Sequence, residues 1–88
     1  MNQYLAEFLG ALFFIFIILT TGNPLAIGAA LALVIILTTS ISGGHINPAV
    51  SIVMAASGKL PMCELIPYCV SQIVGGLVAL ELFKRVQL

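Results

Sequence analysis

The sequence predicts an all-α membrane protein with three transmembrane helices and one re-entrant half-helix. Three observations predict it. Of the 88 residues, 61% are hydrophobic and 7% charged, with three acids against three Lys and Arg, a composition too apolar for a domain that meets water on all sides. Three apolar stretches, at about residues 4–21, 25–42 and 64–82, each approach the ~20 residues needed to cross a ~30 Å hydrocarbon core. Between the second and third lies an organised break, Ser42-Gly43-Gly44-His45-Ile46-Asn47-Pro48-Ala49-Val50-Ser51, followed by an apolar segment too short to cross.

That break specifies a helix start. Gly43 and Gly44 allow a tight backbone turn, Asn47 is a strong N-cap residue, and Pro48 suits the first helical position, where its missing N–H costs nothing. The helix at about 48–57 is small and apolar and ends at Gly58-Lys59-Leu60-Pro61. About ten residues at ~1.5 Å each reach roughly 15 Å, half of the hydrocarbon core. Such a segment enters and leaves on one side, with its N-terminus near the membrane midplane.

In chain order, Tyr4 to Thr21 form the first span, where Ala6 and Gly10, four apart, make a notch for a neighbouring helix. Glu7 lies at its start, either solvated at the interface or turned toward protein or water rather than lipid. No basic stretch precedes this span and Glu7 interrupts it, so a cleaved signal peptide is not expected. Gly22-Asn23-Pro24 is a turn signal that makes the first two spans antiparallel neighbours. Leu25 to Ser42 form the second span, slim in its first half through Gly28, Ala29, Ala30 and Ala32. Glu64 to Leu82 form the third, with Pro67 expected in the first turn, where proline is tolerated. Ser71, Gly75 and Ala79 recur every four residues as a face on which the half-helix could pack, and Gln72 reads as an interhelical hydrogen-bonding residue. Glu81, Lys84 and Arg85 mark the exit interface.

Several function classes are unsupported. Cationic residues are too few for nucleic-acid binding. No Cys or acid stands at metal-ligand spacing from His45, and no nucleophile is set beside a base, so neither a metal, a cofactor nor an enzyme is expected. Cys63 and Cys69, six apart on one helix, fall on different faces and read as packing residues. His45 reads as a structural hydrogen-bonding residue, with a pH gate as the alternative.

Gly43-Gly44-His45-Ile46-Asn47-Pro48-Ala49-Val50 resembles the first-repeat signature of the aquaporin/glycerol-channel (major intrinsic protein) family. Ala6-Glu7-Phe8-Leu9-Gly10 resembles the start of that family's first helix, and Gln72-Ile73-Val74-Gly75-Gly76 its third. The resemblance covers nearly the whole chain, as a single repeat where family members carry two. It implies half of an aquaporin-like fold and a passive channel for water or small neutral solutes such as glycerol. Asn47, Pro48 and Ala49 would then stand at the pore, with Glu7 accepting loop N–H groups and Gly43, Gly44, His45 and Gln72 supporting the loop. A loop at membrane depth needs such an acceptor. In full-length members an Arg follows the second Asn-Pro-Ala, beside an aromatic residue and often a His; the corresponding positions here are Val50, Ile27 and Ile35. The selectivity filter implied by these three is apolar, uncharged and wide.

Mechanism follows from the half-helix. Its N-terminus carries roughly half a positive charge and unpaired donors; Asn47 can cap with its side-chain oxygen and leave its amide NH2 for a solute oxygen. Half-helix dipoles of this kind disfavour hydronium and cations in aquaporin-type channels generally. One half-helix reaches only the midplane. With one repeat and an odd number of spans, the expected partner is a second copy, as an antiparallel homodimer with a two-fold axis in the membrane plane. The family resemblance adds a higher assembly of about four pores. Lys59 and the N-terminal amine on one side against Lys84 and Arg85 on the other give a weak orientation bias that permits dual topology. The intact turns, third span and basic end read as a complete unit. Two further readings compete: a non-conducting or heteromeric half-channel subunit or truncated repeat, and a small dual-topology proton-coupled exporter titrating at Glu7. Glu7 stands too near a span end for the latter and lacks an aromatic cluster.

Overall fold

The computed structural model describes residues 1–86. Among these, four helices follow in order: α1 (Gln3–Thr20), α2 (Pro24–Ser42), α3 (Pro48–Ala56) and α4 (Met62–Val86), with no strand. Local chemistry sets the ends. Asn2, Asn23 and Asn47 each cap a helix: Asn2 Oδ1 accepts from Leu5 N, Asn23 Oδ1 from Leu25 N and Ala26 N, and Asn47 Oδ1 from Ala49 N. Pro24 and Pro48 open α2 and α3. Gly43 ends α2 with φ of 90°, a left-handed cap that glycine adopts without strain. Glu64 in the first turn of α4 and Lys84 and Arg85 in its last complement the helix dipole.

Three helices, α1, α2 and α4, are long and apolar enough to cross a membrane. α3 is not: its 9 residues rise about 14 Å. α4 is longer than the sequence pattern suggests, starting at Met62 and continuing to Val86. Pro67 therefore lies inside the helix, beyond the first turn where it was expected. The helix carries on through it, forgoing one ladder hydrogen bond.

α1 is the centre of the packing, with α2 along one flank and α4 along the other, while α3 lies on α4. α1 and α4 run in the same direction: Gln3 reaches Glu64 at 3.3 Å, Tyr4 stacks edge-on against Tyr68 at 5.7 Å, and Gly75 meets the backbone of Phe8 and Leu12. This corrects the expectation for the small-residue face of α4. Gly75 and Ala79 are buried, and Gly75 packs on α1 instead of the half-helix, because a residue without a β-carbon lets two backbones approach. The half-helix takes Tyr68 and Gln72, through Ala55 and Ser51.

The depth of α3 follows from two clusters. Ile46, just ahead of α3, packs with Ala11 and Val34, close to the middles of α1 and α2. Ala55 and Leu60, at and after its end, pack with Tyr68 and Tyr4, close to the starts of α4 and α1. The chain thus leaves α2 at one side, returns to mid-depth by residue 46, and runs back along α3 to the side it left. The outer surface is apolar: Leu25, Ile36, Ile66 and Leu37 are 82%, 74%, 73% and 62% exposed, a surface suited to lipid.

Candidate functional site

The link between α2 and α3 has an unusual backbone. Gly43, Gly44 and Ile46 have φ of 90°, 66° and 61°. At Gly44 space is also short, since a β-carbon would lie 3.2 Å from Thr39 Oγ1 and 3.4 Å from Ile35 Cα. Ile46 is the exceptional residue, because a β-branched side chain rarely adopts positive φ. It is held there from both ends, with its N–H donating to Glu7 Oε1 at 2.7 Å and its side chain buried among Ala11 and Val34. The turns aim the N–H groups of His45 and Ile46 inward at Glu7. Among the described residues, nothing donates a hydrogen bond to the carbonyl oxygens of Gly43, Gly44, His45 and Ile46. The link is therefore two-sided, with donors tied down and acceptors left over.

Glu7 is the hub. It is fully buried, forms no salt bridge among the described residues, and accepts four hydrogen bonds. Ser42 Oγ (2.6 Å) and His45 N (3.0 Å) donate to Oε2; Ile46 N (2.7 Å) and Gln72 Nε2 (2.8 Å) donate to Oε1. Gln72 Nε2 also donates to Ser51 Oγ at 2.9 Å, and Ser51 Oγ lies 2.8 Å from His45 Nδ1. Tyr68 closes the network, donating its hydroxyl proton to the Ser42 carbonyl at 2.8 Å while its ring lies 5.0 Å from that of His45. Gln72 Oε1 is buried without a partner among the described residues. Reversing the amide would set that oxygen against the Glu7 carboxylate, so its isolation follows from giving both amide protons to Glu7 and Ser51.

The Asn47 side chain is exposed, and its amide nitrogen makes no hydrogen bond among the described residues. Pro48 and Val50 are half-buried and Ala49 exposed. Ile35, 37% exposed, stands beside Gly44 and hence beside the link. Ile27 does not: it precedes Ile35 by eight residues on α2, about 12 Å along the helix axis. One chain brings Ile35 and the link together and leaves Ile27 in the other half of the molecule. Cys63 and Cys69 are free thiols; Cys63 is exposed rather than packed, because the earlier start of α4 places it at the helix entrance.

Four residues of this site carry no individual role in the reading of the sequence: Ser42, Ile46 and Ser51, which stand in the break between the second and third spans, and Tyr68. Spacing could have found two. Ser51 lies one turn beyond Asn47, the only hydroxyl on an apolar half-helix, and Tyr68 lies four before Gln72 on one face of α4. Ile46 carries no signal, since its residue type argues against its conformation.

A model of the family described as major intrinsic protein matches residues 1–88. The chain is 39% identical over 88 residues to glycerol uptake facilitator protein-like 6 of Lactiplantibacillus plantarum, covering 90% of this chain and 41% of that protein. It is 52% identical over 62 residues to aquaporin-8 of Notomys alexis, covering 70% of this chain and 24% of the relative. It is 45% identical over 58 residues to aquaporin Z of Photorhabdus laumondii, covering 66% and 25%. The chain spans less than half the length of each of these relatives. No solved structure matches it. Three helices long and apolar enough to cross a membrane and a capped half-helix, with the family model matching residues 1–88, place this integral multi-pass membrane protein in the major intrinsic protein family.

Proposed function

We propose that this chain forms a passive channel for water and small neutral solutes such as glycerol, with each pore made by two inverted copies. One observation carries the reading: a half-helix begins at mid-depth, beside an exposed Asn47 amide and four carbonyl oxygens without donors. At membrane depth such groups need water, a solute or more protein. Donor and acceptors side by side suit a solute that both accepts and donates, as water and polyols do.

A single copy leaves the other half of the path open. In the first half of α2, Gly28 has no atom within 4 Å of where its β-carbon would stand, and Ala29 and Ala32 are exposed. A second copy, inverted about an axis in the membrane plane, brings its own half-helix to this slim segment. The same operation carries Ile27 of one copy to the half that holds Ile35 and Val50 of the other. Each filter then draws on both chains and contains no charged side chain. The near balance of Lys59 against Lys84 and Arg85 permits insertion in both orientations, and about four such pores would group together as in the family.

Stopped-flow light scattering on liposomes holding only this chain tests the reading. Osmotic shrinkage is expected to be several-fold faster than in empty liposomes. Asn47→Asp preserves the cap, because aspartate caps as well as asparagine, and it replaces the free NH2 by an anion. A fall in water permeability of about tenfold or more is expected, the equivalent of one good hydrogen bond lost along the path. Shrinkage equal to that of empty liposomes, with folded dimers present, would exclude the homomeric pore and direct the search to a different partner chain.

The filter assignment has its own test. Val50→Arg and Ile27→Phe, separately and together, are expected to lower glycerol permeability about tenfold relative to water, by narrowing and charging the mouth. An unchanged glycerol-to-water ratio would remove Ile27 and Val50 from the filter.

A further inference from the structure

We propose that Ile46 is a spacer: its bulk, seated in a notch at Gly10, sets the width of the solute path beside the link and so the discrimination of glycerol from water. The inference rests on the channel reading above and adds to it what fixes that width. Ile46 is 4% exposed and turns its side chain into the contact between α1 and α2, with Ala11 and Val34 as neighbours. Gly10 is the floor of the seat. A β-carbon there would stand 2.6 Å from Ile46 Cδ1 and 3.8 Å from its Cγ1. The first of these distances is roughly 1 Å inside the ~3.5–4.0 Å at which carbon atoms sit best. The space left by the missing β-carbon is therefore the space that the end of the Ile46 side chain fills. Elsewhere the link is open, with Gly43 and Asn47 exposed and Gly44 half-buried.

Three constraints meet on this residue. Its N–H is tied to Glu7 Oε1 at 2.7 Å, its φ of 61° fixes how the chain leaves it, and the next residue is Asn47, the cap of α3. The backbone has little local freedom to absorb a displacement, and a β-branched side chain has few rotamers. Packed interiors feel a change of a single methylene. A change of volume at the seat is thus passed on to the link, and Asn47 moves with it. The candidate mouth residues Ile27, Ile35 and Val50 supply neither a charge nor an aromatic ring, so size is judged beside the link. Water and glycerol differ in width, and pore diameter is one of the determinants of such selectivity. Moving the link outward hinders the larger solute more than the smaller; letting it settle inward does the reverse.

The ratio of glycerol to water permeability, measured on liposomes, reads that width, and it does not change when only the number of folded pores changes. Gly10→Ala fills the seat and is expected to lower the ratio about fivefold. Ile46→Val keeps a β-branched residue at the positive φ, removes Cδ1, and is expected to raise the ratio about threefold. The two together restore the fit, since the closest remaining approach to residue 46 is Cγ1 at 3.8 Å, and the ratio should return to that of the unsubstituted chain. A β-carbon at Gly10 also stands 2.8 Å from Val34 Cγ1, which belongs to α2 and not to the link. Gly10→Ala with Val34→Ala should therefore relieve crowding and leave the ratio low. A low ratio rescued by Val34→Ala and not by Ile46→Val would overturn the proposal, as would a ratio that none of the variants moves. Should Gly10→Ala yield no folded pores, Ile46→Val decides alone, and a ratio that fails to rise counts against the spacer. Absence of water conduction in the unsubstituted chain would take down the channel reading and this one with it, whereas conduction with unmoved ratios sinks this one only.

Discussion

Glu7→Leu is expected to release the link and half-helix while leaving the three spanning helices formed. The substitution keeps an apolar chain of similar size at a fully buried position but orphans four donors. The Ser42 hydroxyl has an alternative acceptor in the Thr38 carbonyl, at 3.4 Å. The N–H groups of His45 and Ile46 have none, because the φ of 61° at Ile46 holds them toward position 7. At ~1–3 kcal/mol per buried unsatisfied group, the loss should reach about 4 kcal/mol after allowing for relaxation. Much of this local structure depends on that energy, since the Ile46 conformation is unfavourable by itself. Hydrogen exchange in detergent should show deprotection concentrated at residues 43–57, with α1, α2 and α4 still protected. Gln72→Leu should cost less, about 1–2 kcal/mol, because it removes one donor from Glu7 and leaves three in place. If Gln72→Leu proved the more damaging, the network would be centred on α4 and not on Glu7.

The contrast between Glu7 and Ile46 explains how far the sequence could be read. The spans, turns and caps are local: apolar runs of the right length, Asn-Pro pairs at 23–24 and 47–48, and glycines at 43–44 determine them almost residue by residue. Helix identity and order were legible for that reason. Helix pairing was not. Gly75 and Ala79 announce a close neighbour without saying which, and α1 holds that place because its own small residue Ala11 is fully buried against Gly75. The extent of α4 was misjudged for a related reason. A proline at 67 suggests a helix start, and only the tertiary setting, with Tyr68 and Gln72 anchored on one face, holds a helix through it. At the site, the capping role of Asn47 is inscribed in its residue type, whereas the partners of Glu7 come from three different segments of chain, the end of α2, the link and α4. Ile46 lies outside any reading by propensity, because its conformation is imposed by that convergence.

The face between α1 and α4 sets the second large prediction. Gly75→Val should destabilise the chain by about 3 kcal/mol or more, and Gly75→Ala by somewhat less. A β-carbon at Gly75 collides with the carbonyl oxygen of Phe8 and stands 3.2 Å from Leu12 N and 3.3 Å from Ala11 Cβ. Two of these neighbours are backbone within a helix, so relief requires the helices to separate, and overpacking of this kind costs ~1–3 kcal/mol or more. Gly10 provides the internal control. A β-carbon there lies 2.6 Å from Ile46 Cδ1 and 2.8 Å from Val34 Cγ1, both side-chain atoms rather than backbone. Gly10→Ala is therefore expected to cost only about 1 kcal/mol. Unfolding in mixed detergent micelles, followed by circular dichroism, should rank Gly75→Val above Gly75→Ala, and both above Gly10→Ala. The consequence extends to the site, since α4 carries Gln72 and Tyr68 to Glu7 and Ser42 from α1's flank. Moving α4 outward lengthens those bonds before it exposes any core. Gly75→Ala should thus loosen the link, with faster exchange at residues 43–47, at a destabilisation too small to unfold the helices. Exchange at residues 43–47 in Gly75→Ala equal to that of the unsubstituted chain would show that the α1–α4 contact and the link are energetically independent.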